Sequence, residues 1–283
     1  MEVNDALAYD LTGLIDMHIH SGPDIASRLM DDIEVAQAAK HAGMRAILIK
    51  SHHTLTADRA LIAERVVGGI RVFGGLVLNA AVGGLNPAAV EVALRMGAKE
   101  IWMPTHSAAH VLRMRGRQDG IGLLNEQGEL SPAVKEIVSL IRISDAILAT
   151  GHIGPEESAV LVREAKDQGL PRIVITHPEA AFIRMPVQLQ EECSGEGVFY
   201  ERCYADTTPT LNCEVGIEEI ARAIRRVGVG STVLSTDFGQ AVSPPPTEGM
   251  RAYLLKLEEL GFHSREIRQM AGENPAHLLG IGR

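Results

Sequence analysis

The sequence predicts an α/β protein, a (β/α)8 TIM-type barrel with room for distortion at two irregular stretches. Three observations lead there. Short aliphatic runs alternate with helix-length segments about eight times along 283 residues, and about 250 residues is usual for such a barrel. Hydrophobic residues make up 46% of the chain and aromatic ones only 4%, so the core is aliphatic, as in parallel strands covered on both faces. The same punctuation also recurs, a helix-like stretch, then a glycine, then a strand. An open doubly wound sheet is the alternative for this alternation. No linker, low-complexity run or composition shift divides the chain, so residues 1–283 read as one domain.

The first strand is expected near 14–19. Asp31-Asp32-Ile33-Glu34 then resembles a capping box opening a helix, which Lys40-His41-Ala42-Gly43 closes before a strand at 45–51. A third strand at 71–78 leads to Asn86-Pro87, with proline suited to the first helical position. Arg95-Met96-Gly97 precedes the fourth strand at 98–104. Residues 107–132 are irregular, holding a hairpin around Gln127-Gly128 and, in a solvated loop, Arg113, Arg115 and Arg117, with binding of an anionic substrate by one of them as the alternative. After a fifth strand at 145–150, Gly154-Pro155-Glu156-Glu157 places acids in a first helical turn, where the dipole favours them. Asp167-Gln168-Gly169 precedes the sixth strand at 172–176; the seventh is expected at 198–205. Arg226-Val227-Gly228 precedes the eighth at 231–236. Each of these glycines fits the left-handed backbone just past a helix end. The second irregular stretch, Gln240 to Gly249, carries Pro244-Pro245-Pro246.

A net charge of −9 and a pI near 5.7 argue against a nucleic-acid partner held by bulk electrostatics. No apolar stretch approaches the roughly 20 residues that span a bilayer, so no membrane partner is expected. The start, Met1-Glu2-Val3-Asn4-Asp5, lacks a signal-peptide layout. Cys193, Cys203 and Cys213 are odd in number and form no CxxC pair, which fits free thiols in a reducing cytoplasm. The expected partners are a small-molecule substrate and further copies of the chain, as a homo-oligomer.

The chemistry lies in the histidines. Ile15-Asp16-Met17-His18-Ile19-His20 is a strand ending in two histidines one residue apart. Residues i and i+2 share a face of a strand about 7 Å apart, so two imidazoles converge where a divalent metal could be held. His52, His53, His106, His152 and His177 also follow strand-like runs, as does Asp237 after Val233-Leu234-Ser235-Thr236. One such histidine is ordinarily a capped or solvated loop residue. Seven at the C-terminal ends of parallel strands fall on the face where barrel enzymes carry their active sites. His41 and His277 lie in helices and His263 at a helix start, so these read as structural.

Taken in order, Asp16-Met17-His18-Ile19-His20, Thr150-Gly151-His152, Val174-Ile175-Thr176-His177-Pro178, Ser235-Thr236-Asp237 and the closing Asn274-Pro275-Ala276 resemble the amidohydrolase superfamily over about residues 14–281. The resemblance implies a barrel hydrolase with one or two divalent metals, Zn2+ or else Mn2+ or Fe2+. By position, His18 and His20 would bind the more buried metal with Asp237. His152 and His177 would bind a second metal, or His152 would complete a single site while His177 contacts substrate. Asp237 would be the catalytic base, taking a proton from metal-bound water and delivering it to the leaving group.

One departure stands out. Binuclear members of that superfamily usually bridge their metals with a carboxylated lysine or a glutamate ending the fourth strand. Here that strand runs Ile101-Trp102-Met103-Pro104-Thr105-His106, and Glu100 lies at its start, away from the site. Lys50, ending the second strand, is the substitute. It is a metal bridge if carbamylated, a cation for a substrate carboxylate if not, or a structural ion pair. His52, His53 and His106 are candidate substrate contacts, and strand parity favours His52 over His53 as the inward residue. The leading function is hydrolysis of a small amide, lactam, lactone or ester by metal-bound hydroxide. The alternatives are a mononuclear metal-dependent decarboxylase or hydratase, and a phosphoesterase of the polymerase-and-histidinol-phosphatase type, which expects a seven-stranded barrel.

Overall fold

The computed structural model describes residues 9–209 and 215–282. The strands are β1 (Ile15–His20), β2 (Ala46–Lys50), β3 (Arg71–Val77), β4 (Glu100–Trp102), β5 (Ile147–Ala149), β6 (Ile173–Thr176), β7 (Val198–Cys203) and β8 (Thr232–Ser235). All are parallel and lie side by side in chain order. The order alone separates this fold from a doubly wound sheet, whose strand order reverses at a switch point. Closure comes just past β8: Asp237 N donates to His18 O, His20 N donates to Phe238 O, and Ile19 bridges Phe238. The Asp16 carboxylate reinforces the seam by accepting from Thr236 N at 3.0 Å and Thr236 Oγ1 at 2.5 Å. The eight strands also remove the seven-stranded expectation of the phosphoesterase alternative.

Helices follow the strands: α1 (Asp32–His41), α2 (Ala57–Val67), α3 (Pro87–Arg95), α4 (Ala109–Met114), α5 (Pro132–Arg142), α6 (Pro155–Asp167), α7 (Val187–Cys193), α8 (Ile217–Val227), α9 (Pro246–Glu259), α10 (Ser264–Arg268) and α11 (Asn274–Leu279). Local chemistry accounts for their ends. Asp31 caps α1 in a full capping box with Glu34, and the Asn86 side chain accepts from Ala89 N at the start of α3. Gly43, Gly97, Gly169 and Gly228 all take positive φ. Where a seventh strand to 205 is expected, β7 ends at Cys203 and Tyr204–Thr207 form a 3₁₀ turn. The stretch 107–132 is more ordered than a loop: it contains α4 and an antiparallel bridge, Leu124 to Leu130, around Gly128.

Aliphatic side chains fill two layers between sheet and helices, such as Ile101, Ile137 and Leu148 on one side and Ile47, Leu254 and Leu257 on the other. Ile15, Leu48, Trp102, Ala149 and Val174 fill the barrel itself, and Ala276, Leu278 and Leu279 of α11 pack with them. Asn274 fixes that closing helix by donating through Nδ2 to Val229 O at 2.8 Å and Thr232 O at 2.7 Å. The floor of the barrel is thus packed shut, which leaves the opposite face, where the histidines emerge. Among the described residues no helix is long and apolar enough to cross a membrane. Cys193 and Cys203 are free and buried; Cys213 lies outside the described residues.

Candidate metal centre

β1 delivers His18 and His20 together, with ring centroids 5.4 Å apart, although its pairing with β2 shifts register between Asp16 and Ile19. Asp237, just past β8, completes a group in which one donor atom of each of His18, His20 and Asp237 lies within 4.8 Å of the others. Asp237 Oδ1 is 3.2 Å from His18 Nε2 and 3.0 Å from His20 Nε2, and Asp237 Oδ2 is 3.6 Å from His177 Nε2. All four side chains are buried. His177 and Asp237 each sit at φ +54, a left-handed backbone that non-glycine residues seldom adopt. Such outliers cost of order 1–3 kcal/mol each and cluster at functional sites.

What holds each ring from behind decides what it presents in front. His20 Nδ1 lies 3.0 Å from Lys50 O, an acceptor only, so Nδ1 carries the hydrogen and Nε2 offers a lone pair. His18 Nδ1 faces the Glu201 carboxylate at 3.1 Å, and His177 Nδ1 faces Asp206 Oδ2 at 2.9 Å. The same reasoning leaves His18 Nε2 as an acceptor. Lone pairs of His18 and His20 therefore point at the carboxylate oxygen Asp237 Oδ1, which makes no well-aligned hydrogen bond of its own. Lys50 Nζ, 3.0 Å from His18 Nε2, is the donor that reaches this cluster, and Asp237 Oδ1 stays without a hydrogen bond. A divalent metal fits this donor set, two imidazoles and a carboxylate with hydrogen-bonded supports behind the rings.

The electrostatics agree. Burial pushes His20 down to about 3, so its ring is neutral at physiological pH. Burial opposes ionisation of Asp237, but His18, His20 and His177 outweigh it and hold the carboxyl well below the usual range. Burial would lower His177 as well, yet Asp206 and Asp237 reverse the sign and raise it. His18, His177 and Cys203 form a second compact group. It is the weaker candidate, because burial keeps the Cys203 thiol protonated and Sγ approaches His18 at the Nδ1 already facing Glu201.

Lys50 is fully buried, with Nζ 3.0 Å from His18 Nε2 and 5.0 Å from the Trp102 ring centre. Burial lowers its pKa against the pull of Asp237 and Glu201. It therefore lies at the site, as expected of a residue ending β2. Glu100 does not line the cavity; it is buried lower in the barrel without a hydrogen bond, and burial followed by Glu201 pushes its carboxyl well up.

The remaining histidines divide. His52 is buried, hydrogen-bonded through Nδ1 to Thr105 Oγ1 at 2.8 Å, and stacked on His106 at 3.8 Å and on His20 at 4.8 Å. His106 is pushed down to about 4, by burial first and then by the Lys50 and Arg115 charges. His152 packs against His177 at 5.4 Å, and its buried Nε2 has no partner. His53 stays apart, part-exposed and 4.0 Å from Asp24; both residues lie in the bend past β2, so the bend and not strand parity turns His52 to the cavity. Gly151 serves the Thr-Gly-His turn: at φ +59, an added Cβ would lie 2.2 Å from Met103 O.

Above the donors opens a cavity of about 580 Å3 lined by His18, His20, His52, His106, His152 and Asp237, with Arg28, Arg115, Phe182 and Gln240 among the other walls. Arg115 thus leaves the solvated-loop group and joins the cavity. Glu201 and Asp206 are the functional residues that sequence reasoning passed over. Thr210 follows β7 as a possible pocket residue with Thr207 and Thr208, but lies outside the described residues.

The model of a family of unknown function, DUF6282, matches residues 13–201. No curated protein matches the chain in sequence. Among solved structures, an amidohydrolase from Pseudomonas aeruginosa superposes with a TM-score of 0.61 at 14% identity, covering 95% of each chain. A dihydroorotase gives 0.62 at 12%, covering 96% of this chain and 71% of its own. An organophosphorus hydrolase from Deinococcus radiodurans gives 0.61 at 13%, with 96% and 93% covered. At these identities the likeness is one of fold.

Proposed function

The chain belongs to the DUF6282 family, whose description carries no activity, and we propose from the site that it is a metal-dependent hydrolase of a small amide, lactam, lactone or ester. One observation carries the reading: the Nε2 atoms of His18 and His20 converge with an ionised Asp237 at the open end of an eight-stranded barrel. The barrel fold shared with an amidohydrolase, a dihydroorotase and an organophosphorus hydrolase supports it.

In this reading His18, His20 and Asp237 would hold a divalent ion, Zn2+, Mn2+ or Fe2+; Lys50 would join them only if carbamylated, and His152 and His177 would bind a second ion or contact substrate. The ion would supply a Lewis acid for the substrate carbonyl and would lower the pKa of a bound water to roughly 7. Asp237 accepts the attacking water's proton at a carboxylate oxygen and passes it to the leaving group. Glu201 and Asp206 hold the rings of His18 and His177 in register. His52 and His106, kept neutral, offer hydrogen bonds to the substrate without repelling a metal. Phe182 and the walls above limit water around the reacting carbonyl.

The test is a panel of amides, lactams, lactones, esters and phosphoesters offered to metal-loaded protein, with CO2 release followed in parallel. Cleavage of a carbonyl substrate that disappears on metal removal supports the proposal. CO2 release or phosphoester cleavage without acyl hydrolysis would move it to one of the alternative chemistries.

A further inference from the structure

Two polar groups on the cavity wall have no partner among the described residues. The first is Gln240 Oε1. The Gln240 side chain is oriented by Nε2 donating to Asp237 O at 2.8 Å, and Oε1 is then buried with no hydrogen bond. A buried acceptor of this kind calls for a donor, and this one stands beside the proposed base. The second is the Arg115 guanidinium. Arg28, the other arginine on the wall, is clamped by Asp24 at 2.9 and 2.7 Å, and Arg117 outside is paired with Asp119. The Arg115 side chain makes no hydrogen bond or ion pair among the described residues, and it sits exposed at the mouth while Asp237 lies deep. The same cavity is also lined by apolar side chains, Val111 and Met114 of α4 and Phe182.

We propose that the substrate is a small amide or lactam carrying a carboxylate across a short apolar body, with Gln240 accepting from its N–H and Arg115 pairing with its carboxylate. The proposal rests on the hydrolase reading and narrows it. An ester or lactone has no N–H and leaves Gln240 Oε1 unsatisfied, and sites built around a hydrogen bond reject ligands that lack it. A neutral ligand leaves Arg115 unused. The net charge of −9 lies elsewhere on the chain: Asp237 is the one acid on this wall, against Arg28 and Arg115.

Three probes of one shape separate the terms: 5-acetamidopentanoate, its neutral counterpart 5-acetamidopentanamide, and the ester analogue 5-acetoxypentanoate. Binding to the zinc-loaded protein is measured by titration calorimetry, and turnover is followed wherever it occurs. The acid should bind roughly 2–5-fold tighter than the neutral amide, the reach of one solvent-exposed ion pair. It should also bind at least ~10-fold tighter than the ester. Arg115→Gln should erase the first preference and Gln240→Met the second, while Arg113→Gln, an exposed neighbour off the cavity wall, keeps both. Equal binding of the three probes, or an Arg115→Gln variant that still prefers the acid, overturns the inference. Preferential binding with no turnover of any carbonyl compound would leave this recognition intact and defeat the hydrolase reading instead.

Discussion

Glu201→Gln tests whether the carboxylate behind His18 belongs to the metal centre. Glu201 accepts from His18 Nδ1 at 3.1 Å and from Ser235 Oγ at 2.9 Å, at 1% exposure. Burial pushes its carboxyl up, but His18 and Lys50 outweigh burial and keep it ionised. Glutamine preserves the shape and can still accept from His18, yet a charge-assisted hydrogen bond of about 1.5–3 kcal/mol becomes a neutral one of about 0.5–1.5 kcal/mol. The loss of about 1–1.5 kcal/mol makes Nε2 a poorer donor and loosens the ring. That is roughly tenfold in affinity, at the low end of the 10–100-fold usual for residues supporting a metal-bound histidine. Metal-free protein is titrated with zinc against a chromophoric chelator, with circular dichroism as the check on folding. The zinc Kd should rise about 10–100-fold while the dichroism is unchanged. A folded variant with wild-type affinity would refute the role given to Glu201.

Asp237→Asn should lower kcat by about 10²–10⁴-fold with some metal retained through the histidines; normal turnover would mean another group takes the proton. Lys50→Ala discriminates two roles. Loss of one metal per chain, with partial rescue by short carboxylic acids, fits a carbamate bridge, whereas a KM raised ~10–100-fold at constant metal fits a free cation reading substrate. Unchanged metal and kinetics would leave Lys50 structural. In metal-free protein, His106 has its folded pKa lowered from 6.5 to about 4. The unfolded chain therefore binds the extra proton, and this residue's contribution is present above pH 6.5 and is lost as pH falls toward 4. Chemical denaturation should show wild type losing roughly 1 kcal/mol per pH unit relative to His106→Gln across that window; parallel curves would contradict it.

The eight strands were legible because each is a short aliphatic run bounded by a glycine or proline whose backbone role is local, such as Gly43, Gly97 and Pro155. The histidines and Asp237 were legible because their placement repeats at strand ends. Glu201 was not. In Val198-Phe199-Tyr200-Glu201-Arg202-Cys203 it stands next to Arg202, and the pair reads as one polar patch. Only barrel geometry separates them: Glu201 faces His18 inside, and Arg202 is buried outside with Glu179 and Gln190. Inward parity of a lone acid in a buried strand was the available signal. Asp206 had none, since it belongs to a 3₁₀ turn with no periodicity to place it. Arg115 and Gln240 lie on loops whose fold over the barrel mouth is a tertiary matter.

The metal content of protein purified without added chelator, set beside that of the His18→Ala/His20→Ala double variant, goes straight to the centre. At least one divalent ion per chain is expected in the wild type, falling below ~0.1 in the variant with the barrel still folded, because ligands at strand ends serve function rather than stability. A variant that keeps full metal would contradict the centre described here, as would a wild type that neither carries Zn2+, Mn2+ or Fe2+ nor takes them up when they are added.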